Sequence, residues 1–593
     1  MNEKNVTYKI TGNNNIKAEH TKVFMKNSNI WKAVVFILFV ALITIVNIYH
    51  EAWYDEAQAW MIARECSLYE IIFVRPHAEG HPPLWTLILY PMAHNGMDYE
   101  VCMKSLMVVI SSINTSLILW KSPFPSVVKA LLPFTYFFFY QYGAIARPYG
   151  LFIMAVLLVA ITYKNKDDKP WHHVVTLIFL CLTCAFGIII AGCMAAVWVL
   201  EIWDGRNIVK FVAGFIHDKR MVPLVVLAMC GLLLIYMIIP DKNTYTGSVS
   251  ASNGFVLRLI MCLIALLAET TCMQSFESYK SLKKMQFSEV TFVMEIVVGI
   301  ILWIILIYIA RKVKKTLLLI VPYTVLSIFG ASVYFFIHHT GVMLIYLVCW
   351  FWIVCDYTGI CEDGYVKCIY KWLESNKITK QFTDKERHIT GGVIFFAVIL
   401  SLVISVVWSV TASYNEVKDN YCYAKEATEF LRKHNMYDLN ILVQYDDYTN
   451  KKGMKEPNTY SKSVAVAMFP YMNDKEIASF MQFRGEKKYS IQKLAEDKDN
   501  QSNYKKVRAM GTPDVLIGEC DIVPIYGDKV SVNEYAAVKA VTFGYEWKNM
   551  KFNQTAFIYV KKELLGRYKL HELSQDEIPE NAVGAATQRV NVG

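Results

Sequence analysis

Residues 31–49 read WKAVVFILFVALITIVNIY, a predominantly apolar run that follows a polar start. A helix that crosses the hydrocarbon core of a bilayer needs about 20 apolar residues, so this run predicts a membrane span. Of the 593 residues of the chain, 55% are hydrophobic and only 19% are charged. This composition indicates a polytopic membrane protein and argues against a soluble enzyme.

The positive charge of the chain has an explanation that needs no nucleic-acid partner. The formal net charge is +9, and Lys and Arg collect in the cytoplasmic loops of membrane proteins. The basic segments 164–169, 311–315 and 356–388 are therefore predicted to lie inside the cell. The polar residues 1–30 are predicted to form a cytoplasmic tail that is largely disordered.

Counting apolar segments against these loops predicts an α-helical membrane domain of about eleven spans over residues 31–411. One of the predicted spans covers residues 127–143, which are rich in Phe and Tyr. The segments 55–66 and 83–94 are too short to span the bilayer and predict interfacial helices.

Residues 172–203 are almost wholly apolar. At about 1.5 Å per residue they would reach roughly 48 Å, which is too long for one span. We therefore expect two short helices that break near Phe186 and Gly187, and an interfacial or re-entrant helix at 254–268. In the alternative topology, each of the two segments is one span.

From residue 412 onward the sequence has the texture of a globular domain. Alternating helices and strands predict a C-terminal extracytoplasmic α/β domain over residues 412–593. The predicted helices are 424–433 and 474–483, and the predicted strands are 439–443, 515–518 and 556–560. Cys422 and Cys520 would face an oxidising space, and the sequence leaves open whether they form a disulfide.

An acidic motif follows the first span. Residues 53–60 read WYDEAQAW, with Asp55 and Glu56 adjacent among aromatic rings. A carboxylate at the mouth of a membrane domain is a functional candidate, because apolar surroundings raise its basicity. The alternative is the solvated start of a surface helix.

Other polar residues are predicted at the same outer face as Asp55. They are His81, Arg147, Tyr149, His338 and His339. A carboxylate can take a proton from a hydroxyl group, a guanidinium group and imidazoles can hold a phosphate, and aromatic rings suit the faces of sugars. These groups suit the transfer of a sugar from a lipid phosphate, although ends of spans also carry Arg and His as ordinary interfacial residues.

Three motifs together carry a family resemblance: Tyr54-Asp55-Glu56, His81-Pro82-Pro83-Leu84 and Arg147-Pro148-Tyr149. In order and spacing they resemble the GT-C superfamily of integral membrane glycosyltransferases. The similar branch contains protein O-mannosyltransferases, the lipid A aminoarabinose transferase and bacterial relatives that glycosylate envelope polymers. The resemblance covers roughly residues 30–350.

The resemblance implies a sugar donor linked to polyprenyl phosphate and inversion at the anomeric carbon. The acceptor would be a glycan, lipid or protein at the outer face of the cell membrane. Asp55 is the implied general base, with Glu56 beside it. The implied substrate-binding residues are His81, Arg147, Tyr149, His338 and His339.

Metal dependence varies across this superfamily, so a divalent cofactor stays open. The sequence offers no strong ligand cluster, and an ordinary interfacial loop is favoured over a metal site at His77, Glu79 and His81. Two other functions remain as alternatives. A transporter would carry ionisable residues near the middle of broken spans, and a non-catalytic protein of envelope polymer assembly would work through its C-terminal domain.

Overall fold

A helical membrane domain is followed by a smaller domain with a mixed β-sheet in the computed structural model of the chain. The structure describes residues 13–205, 207, 209, 214–240, 254–274, 289–333, 335, 337–358, 384–443, 447–449, 455–457, 465–485, 500–518 and 531–579. The predicted inner loop 356–388 lies largely outside these residues.

The membrane domain is built from α-helices of very different lengths. In chain order they are α1 (Asn13–Tyr49), α2 (Tyr54–Glu65), α3 (Leu68–Phe73), α4 (Arg75–Glu79), α5 (Leu84–Ala93), α6 (Tyr99–Lys121), α7 (Ser126–Leu131), α8 (Tyr149–Tyr163), α9 (Pro170–Thr183), α10 (Ala185–Trp203), α11 (Met221–Ile238), α12 (Phe255–Ile260), α13 (Leu266–Thr271), α14 (Glu289–Lys312), α15 (Thr316–Ser332), α16 (Gly341–Thr358) and α17 (Asp384–Lys418).

Seven helices in the described part of the chain are long and apolar enough to cross a membrane, which agrees with a polytopic helical membrane protein. These candidate spans are Asn29–Tyr49, Tyr99–Lys121, Ala185–Trp203, Met221–Ile238, Val290–Lys312, Ile337–Tyr357 and Phe396–Lys418. Shorter apolar helices cover Leu84–Ala93, Tyr149–Tyr163, Pro170–Thr183 and Thr316–Ser332. The predicted number of about eleven spans counts three of these short helices, α8, α9 and α15, together with the segment at 127–143.

The first helix begins earlier than the sequence predicts. α1 starts at Asn13, so part of the tail that was predicted to be disordered is helical. A helix that is already nucleated by an apolar span extends at little cost, because each further residue adds one hydrogen bond. The polar residues before Asn29 therefore continue the helix of the first span.

The predicted break within residues 172–203 is confirmed. α9 ends at Thr183 and α10 begins at Ala185, with Cys184 between them in an extended conformation. At the far end of α10, Glu201 accepts hydrogen bonds from Lys166 at 2.9 Å and from Lys315 at 2.8 Å. Two antiparallel helices place the end of α10 beside these two basic loops, as the favoured topology requires.

The predicted span at 127–143 is wrong as a single regular helix. It divides into α7, a 3₁₀ turn at Leu132–Phe134 and a π-helical turn at Phe137–Gln141. Pro133 lacks the N–H that a continuous helix would need, and Thr135 adopts an extended conformation. The Phe- and Tyr-rich composition reflects close packing, since Phe137, Phe138 and Phe139 are buried.

The helical segment predicted at 254–268 consists of α12, a π-helical turn at Met261–Ala265 and α13. It packs against α14, α15 and α16. Its interfacial or re-entrant placement in the bilayer stays a prediction.

The C-terminal domain has the mixed helices and strands predicted for it. Its helices are α18 (Ala424–Lys433), α19 (Asp474–Ile477), α20 (Asn500–Ala509) and α21 (Leu565–Tyr568). Its strands are β1 (Ile441–Val443), β2 (Asp447–Thr449), β3 (Lys455–Pro457), β4 (Val515–Gly518), β5 (Tyr535–Trp547) and β6 (Met550–Lys561). The main sheet has the order β1-β4-β6-β5, with β1 parallel to β4 and the other neighbours antiparallel.

The predicted helix at 424–433 and the strands at 439–443, 515–518 and 556–560 are confirmed within two residues of their bounds or inside a longer strand. The predicted helix at 474–483 is too long, because α19 ends at Ile477. The long strand β5 was not predicted. Cys422 is buried with a free thiol, and Cys520 lies outside the described residues.

The C-terminal domain packs on the face of the membrane domain that holds α2 and α5. Lys425 of α18 pairs with Glu100 at 3.0 Å, and Arg64 of α2 pairs with Asp474. The tip of the β5–β6 hairpin enters the membrane domain, where the ammonium group of Lys548 lies 2.5 Å from Glu269 Oε1. Both side chains are fully buried, so the hairpin anchors one domain in the other.

Candidate functional site

The two predicted interfacial segments form α2 and α5, with the short helices α3 and α4 between them. Trp53 is extended and α2 begins at Tyr54, so Asp55 and Glu56 both lie in its first turn. Carboxylates are favourable there because the N-terminus of a helix carries partial positive charge. The two neighbouring carboxylates nevertheless point into different surroundings.

Glu56 is buried, with 1% of its surface exposed. Its carboxylate accepts hydrogen bonds from the backbone N–H of Trp53 at 2.8 Å and of Ala146 at 2.6 Å. It also contacts His50 Nε2 at 3.0 Å. Glu56 therefore ties the start of α2 to the end of α1 and to the residue that precedes Arg147.

His50 extends this buried network to the last span. Its other ring nitrogen, Nδ1, lies 2.9 Å from Glu416 Oε1 on α17, and Glu416 accepts a hydrogen bond from the Tyr140 hydroxyl at 2.6 Å. Burial lowers the pKa of His50, but the carboxylates of Glu56 and Glu416 outweigh it and raise the pKa from 6.5 to about 10. The imidazolium thus joins two buried carboxylates.

Asp55 lines a pocket and forms an ion pair with Arg147. The Asp55 side chain is 33% exposed and that of Arg147 is 17% exposed, so both reach the pocket. Arg147 precedes α8 and stands over the ring of Tyr149 at 5.9 Å. The structure thus brings two of the predicted site residues into direct contact across a large separation in sequence.

The pocket lies between the start of α2, the loop before α8 and the region of α4 and α5. Its volume is about 540 Å³, including the part that is open to solvent. The residues that line it are Asp55, Ala59, Ile71, Arg75, Pro76, Glu79, His81, Pro82, Pro83, Trp85, Thr86, Arg147 and Pro148.

His81 also lines the pocket, as predicted for a substrate-binding residue. Its Nδ1 atom is buried without a hydrogen-bond partner. Burial lowers the pKa of His81 from 6.5 to about 4, so the imidazole is neutral at physiological pH. A neutral imidazole can donate or accept one hydrogen bond at this nitrogen.

Tyr149, His338 and His339 lie behind Arg147. Tyr149 stacks on Tyr142 with 4.7 Å between ring centroids, and the Tyr142 hydroxyl donates to the carbonyl of His338 at 2.7 Å. His339 lies 5.8 Å from the Tyr149 ring and is fully buried. These three residues do not line the pocket, and Tyr149 reaches it only through its ring contact with Arg147. Binding of substrate by them stays a prediction.

Sequence reasoning overlooked three residues of this region. Arg75 and Trp85 line the pocket, and His50 joins Glu56 to Glu416. The strongest available signal was the run of charged and aromatic residues from 75 to 85, which follows the acidic motif.

The C-terminal domain borders this region. The backbone N–H of Ala52 donates to the Tyr471 hydroxyl at 3.1 Å, just before α2. Trp547 packs edge-on against Tyr136 with 5.6 Å between centroids, and the Tyr136 hydroxyl donates to the carbonyl of Glu546 at 3.1 Å. The domain therefore contacts the elements that carry Asp55 and Arg147.

Within the described ranges, no group of three or more His, Cys, Asp or Glu side chains is placed to hold a metal ion. At the sequence stretch considered for such a site, His77 Nδ1 bonds the carbonyl of Ile239 at 2.9 Å. Glu79 accepts from Gln58 at 3.3 Å.

Comparisons with known proteins add no information about this pocket. No family model matches the chain, and no curated protein or solved structure matches it.

Proposed function

We propose that the chain is a GT-C-type glycosyltransferase of the cell membrane. It transfers a sugar from a polyprenyl-phosphate donor to an acceptor at the outer face, with inversion at the anomeric carbon. The observation that carries the proposal is the pocket in which the exposed carboxylate of Asp55 faces the guanidinium of Arg147. Such a transfer needs a negative group that takes the proton of the acceptor hydroxyl and a positive group that stabilises the leaving phosphate.

The reaction is a single displacement. The acceptor hydroxyl oxygen forms a bond to the anomeric carbon as the bond from that carbon to the phosphate oxygen breaks. The hydroxyl proton passes to Asp55, and the leaving phosphate keeps the electron pair of the broken bond. Arg147 stabilises the added negative charge, because its planar guanidinium can meet two phosphate oxygens at once. Attack from the side opposite the leaving group inverts the anomeric configuration.

Glu56 was predicted to share the catalytic role, and its surroundings favour another one. Its carboxylate is buried and accepts hydrogen bonds from Trp53, Ala146 and His50, and it does not line the pocket. We therefore assign Glu56 to positioning: it fixes the start of α2, which presents Asp55, and the backbone just before Arg147.

The C-terminal domain is proposed to lie outside the cell, where it covers the site or docks the acceptor. Its contacts support this role, since Tyr471 and Asp474 reach α2 and the residues before it. Removal of the domain should weaken use of the acceptor more than binding of the donor. Equal loss of both would point to a role in folding.

Mass spectrometry of surface glycans in a strain that lacks the gene tests the proposal. We expect one envelope glycan, lipid or glycoprotein to lose a sugar, and a plasmid copy of the wild-type chain to restore it. Unchanged surface glycans would favour a transporter or a non-catalytic assembly protein. The sugar lost in this experiment would also identify the donor.

A further inference from the structure

The side of the pocket formed by α4 and α5 contains an unusual cation. Arg75 is 93% buried, with 7% of its surface exposed. Its Nε atom has no hydrogen-bond partner, and within the described part of the chain the guanidinium forms no ion pair. Buried guanidinium groups are costly unless an anion or acceptor meets them. Within the described part of the chain, the carboxyl of Glu79 interacts electrostatically with Arg75, but no hydrogen-bond acceptor meets the Nε atom of Arg75.

Two further donors lie on the same wall. Trp85 Nε1 and His81 Nδ1 are both buried without a hydrogen-bond partner, and both residues line the pocket with Arg75. The indole N–H only donates, and the neutral imidazole donates in one of its tautomers. Three unsatisfied polar nitrogens on one wall indicate that an acceptor of hydrogen bonds completes this part of the pocket.

The charges of the pocket favour an anion as that acceptor. Asp55 and Arg147 pair with each other. The pKa of His81 is lowered by burial to about 4, so His81 adds no charge at neutral pH. Burial also raises the pKa of Glu79 to about 7, against the opposing effect of Arg75, so this carboxyl carries less negative charge at neutral pH than an ordinary glutamate. Arg75 therefore leaves the pocket with excess positive charge.

We propose that Arg75, His81 and Trp85 form an oxyanion subsite, separate from Arg147, that receives a phosphate or carboxylate group of the acceptor. The assignment to the acceptor rests on the proposed function, in which Arg147 meets the phosphate of the donor. In that function Asp55, which lines the same pocket, faces the acceptor hydroxyl. The preferred substrate is then an anionic acceptor, such as a phosphate-bearing or uronic-acid-bearing envelope glycan.

Binding of small anions to the purified full-length protein in detergent tests the subsite without any sugar transfer. Calorimetric titrations at pH 7 would use inorganic phosphate in one arm and acetate in the other. One of the two anions will bind the wild-type protein more tightly. We expect Arg75→Gln to weaken the binding of that anion at least about tenfold, because charge-assisted hydrogen bonds to oxyanions are strong. Arg64→Gln should stay within about threefold of wild type.

Arg64→Gln is the matched control, since it removes an Arg from the same face whose partner is Asp474 and which does not line the pocket. The proposal would be overturned if Arg75→Gln bound the anion as tightly as the wild-type protein does. It would also be overturned if the wild-type protein bound neither anion. An equal loss of binding in Arg64→Gln would show that the effect is not specific to the pocket, and it would also overturn the proposal.

Arg75→Lys covers the case in which Arg75→Gln does not fold. It keeps the charge and loses the planar fork, so we expect an intermediate affinity, with threefold to tenfold weaker binding. Wild-type affinity in this variant would contradict recognition through the guanidinium group. If anions bind as expected while surface glycans do not change in the deletion strain, the subsite stands and the transferase function fails.

Discussion

The Asp55 carboxylate forms an ion pair with the Arg147 guanidinium, although 92 positions separate the two residues in the chain. The pair spans the pocket between the first turn of α2 and the loop before α8. Glu56, next to Asp55, accepts a hydrogen bond from Ala146, next to Arg147. Two contacts therefore hold the start of α2 and the loop before α8 together. One is the ion pair of Asp55 and Arg147 in the pocket, and the other is the buried hydrogen bond between Glu56 and Ala146.

Arg147 should matter for the leaving group. Arg147→Lys keeps the charge and should retain part of the activity, whereas Arg147→Ala should lose far more. The loss should fall mainly on kcat if the contact with phosphate strengthens in the transition state. Turnover of lipid-linked sugar in detergent measures it. A bystander role for Arg147 predicts that both variants match the wild type.

The His50 network predicts a pH dependence of stability. The folded-state pKa of His50, about 10, lies above its ordinary value of 6.5. Its contribution is therefore complete below about pH 6.5 and is lost as the pH rises towards 10. His50→Gln should flatten this part of the profile of unfolding free energy against pH, measured by denaturant unfolding in detergent.

His434→Gln is the control for that profile, because His434 contacts the ring of Phe430 and, among the residues that the structure describes, has no carboxylate partner like those of His50. It should leave the profile unchanged. A His50→Gln profile as steep as that of the wild type would show that the imidazolium between Glu56 and Glu416 is not the source of the pH dependence.

The hairpin anchor predicts a large effect on stability. Lys548→Met removes the ammonium group that pairs with the buried carboxylate of Glu269, and breaking a buried ion pair in this way should cost roughly 3–5 kcal/mol. The double variant with Glu269→Met should recover much of this loss. Lys551→Met is the matched control, since Lys551 and Asp419 are 21% and 38% exposed and such pairs contribute at most about 1 kcal/mol. Equal losses in both single variants would contradict an anchoring role.

Sidedness is tested by labelling single cysteines in whole cells. Lys433 and Asp168 are both exposed and lie on opposite faces by our assignment. We expect a membrane-impermeant reagent to label Lys433→Cys in intact cells and Asp168→Cys only after lysis, above the background of the native cysteines. The reverse pattern would place the pocket inside the cell and remove the basis for an outer-face reaction.

The sequence predicted most of the helices because long apolar runs and basic loops obey simple rules of length and charge. Residues 172–203 show this well, since their length alone required the break that Cys184 provides. The segment 127–143 shows the limit. Its apolar composition is typical of a membrane span. Pro133 and the packing of the aromatic rings nevertheless interrupt the helix, and the hydrophobic periodicity of the sequence does not predict this interruption.

Part of the candidate site was also predictable from the sequence. Charge and sidedness singled out Asp55 and Arg147, and the structure pairs them. The different surroundings of Asp55 and Glu56 depend on His50 and on Glu416, which lies 366 positions from His50. Contacts between such distant residues are set by tertiary packing. A single sequence, taken by itself, carries no signal for them.

The most direct test of the central claim is complementation of the deletion strain with Asp55→Asn, read by mass spectrometry of surface glycans. A lost general base should reduce transfer by roughly 10²–10⁴-fold, so the missing sugar should not return although the protein is expressed at the wild-type level. Asp98→Asn is the control, because Asp98 caps α6 and Asn caps equally well. Full restoration of the glycan by Asp55→Asn would contradict the account.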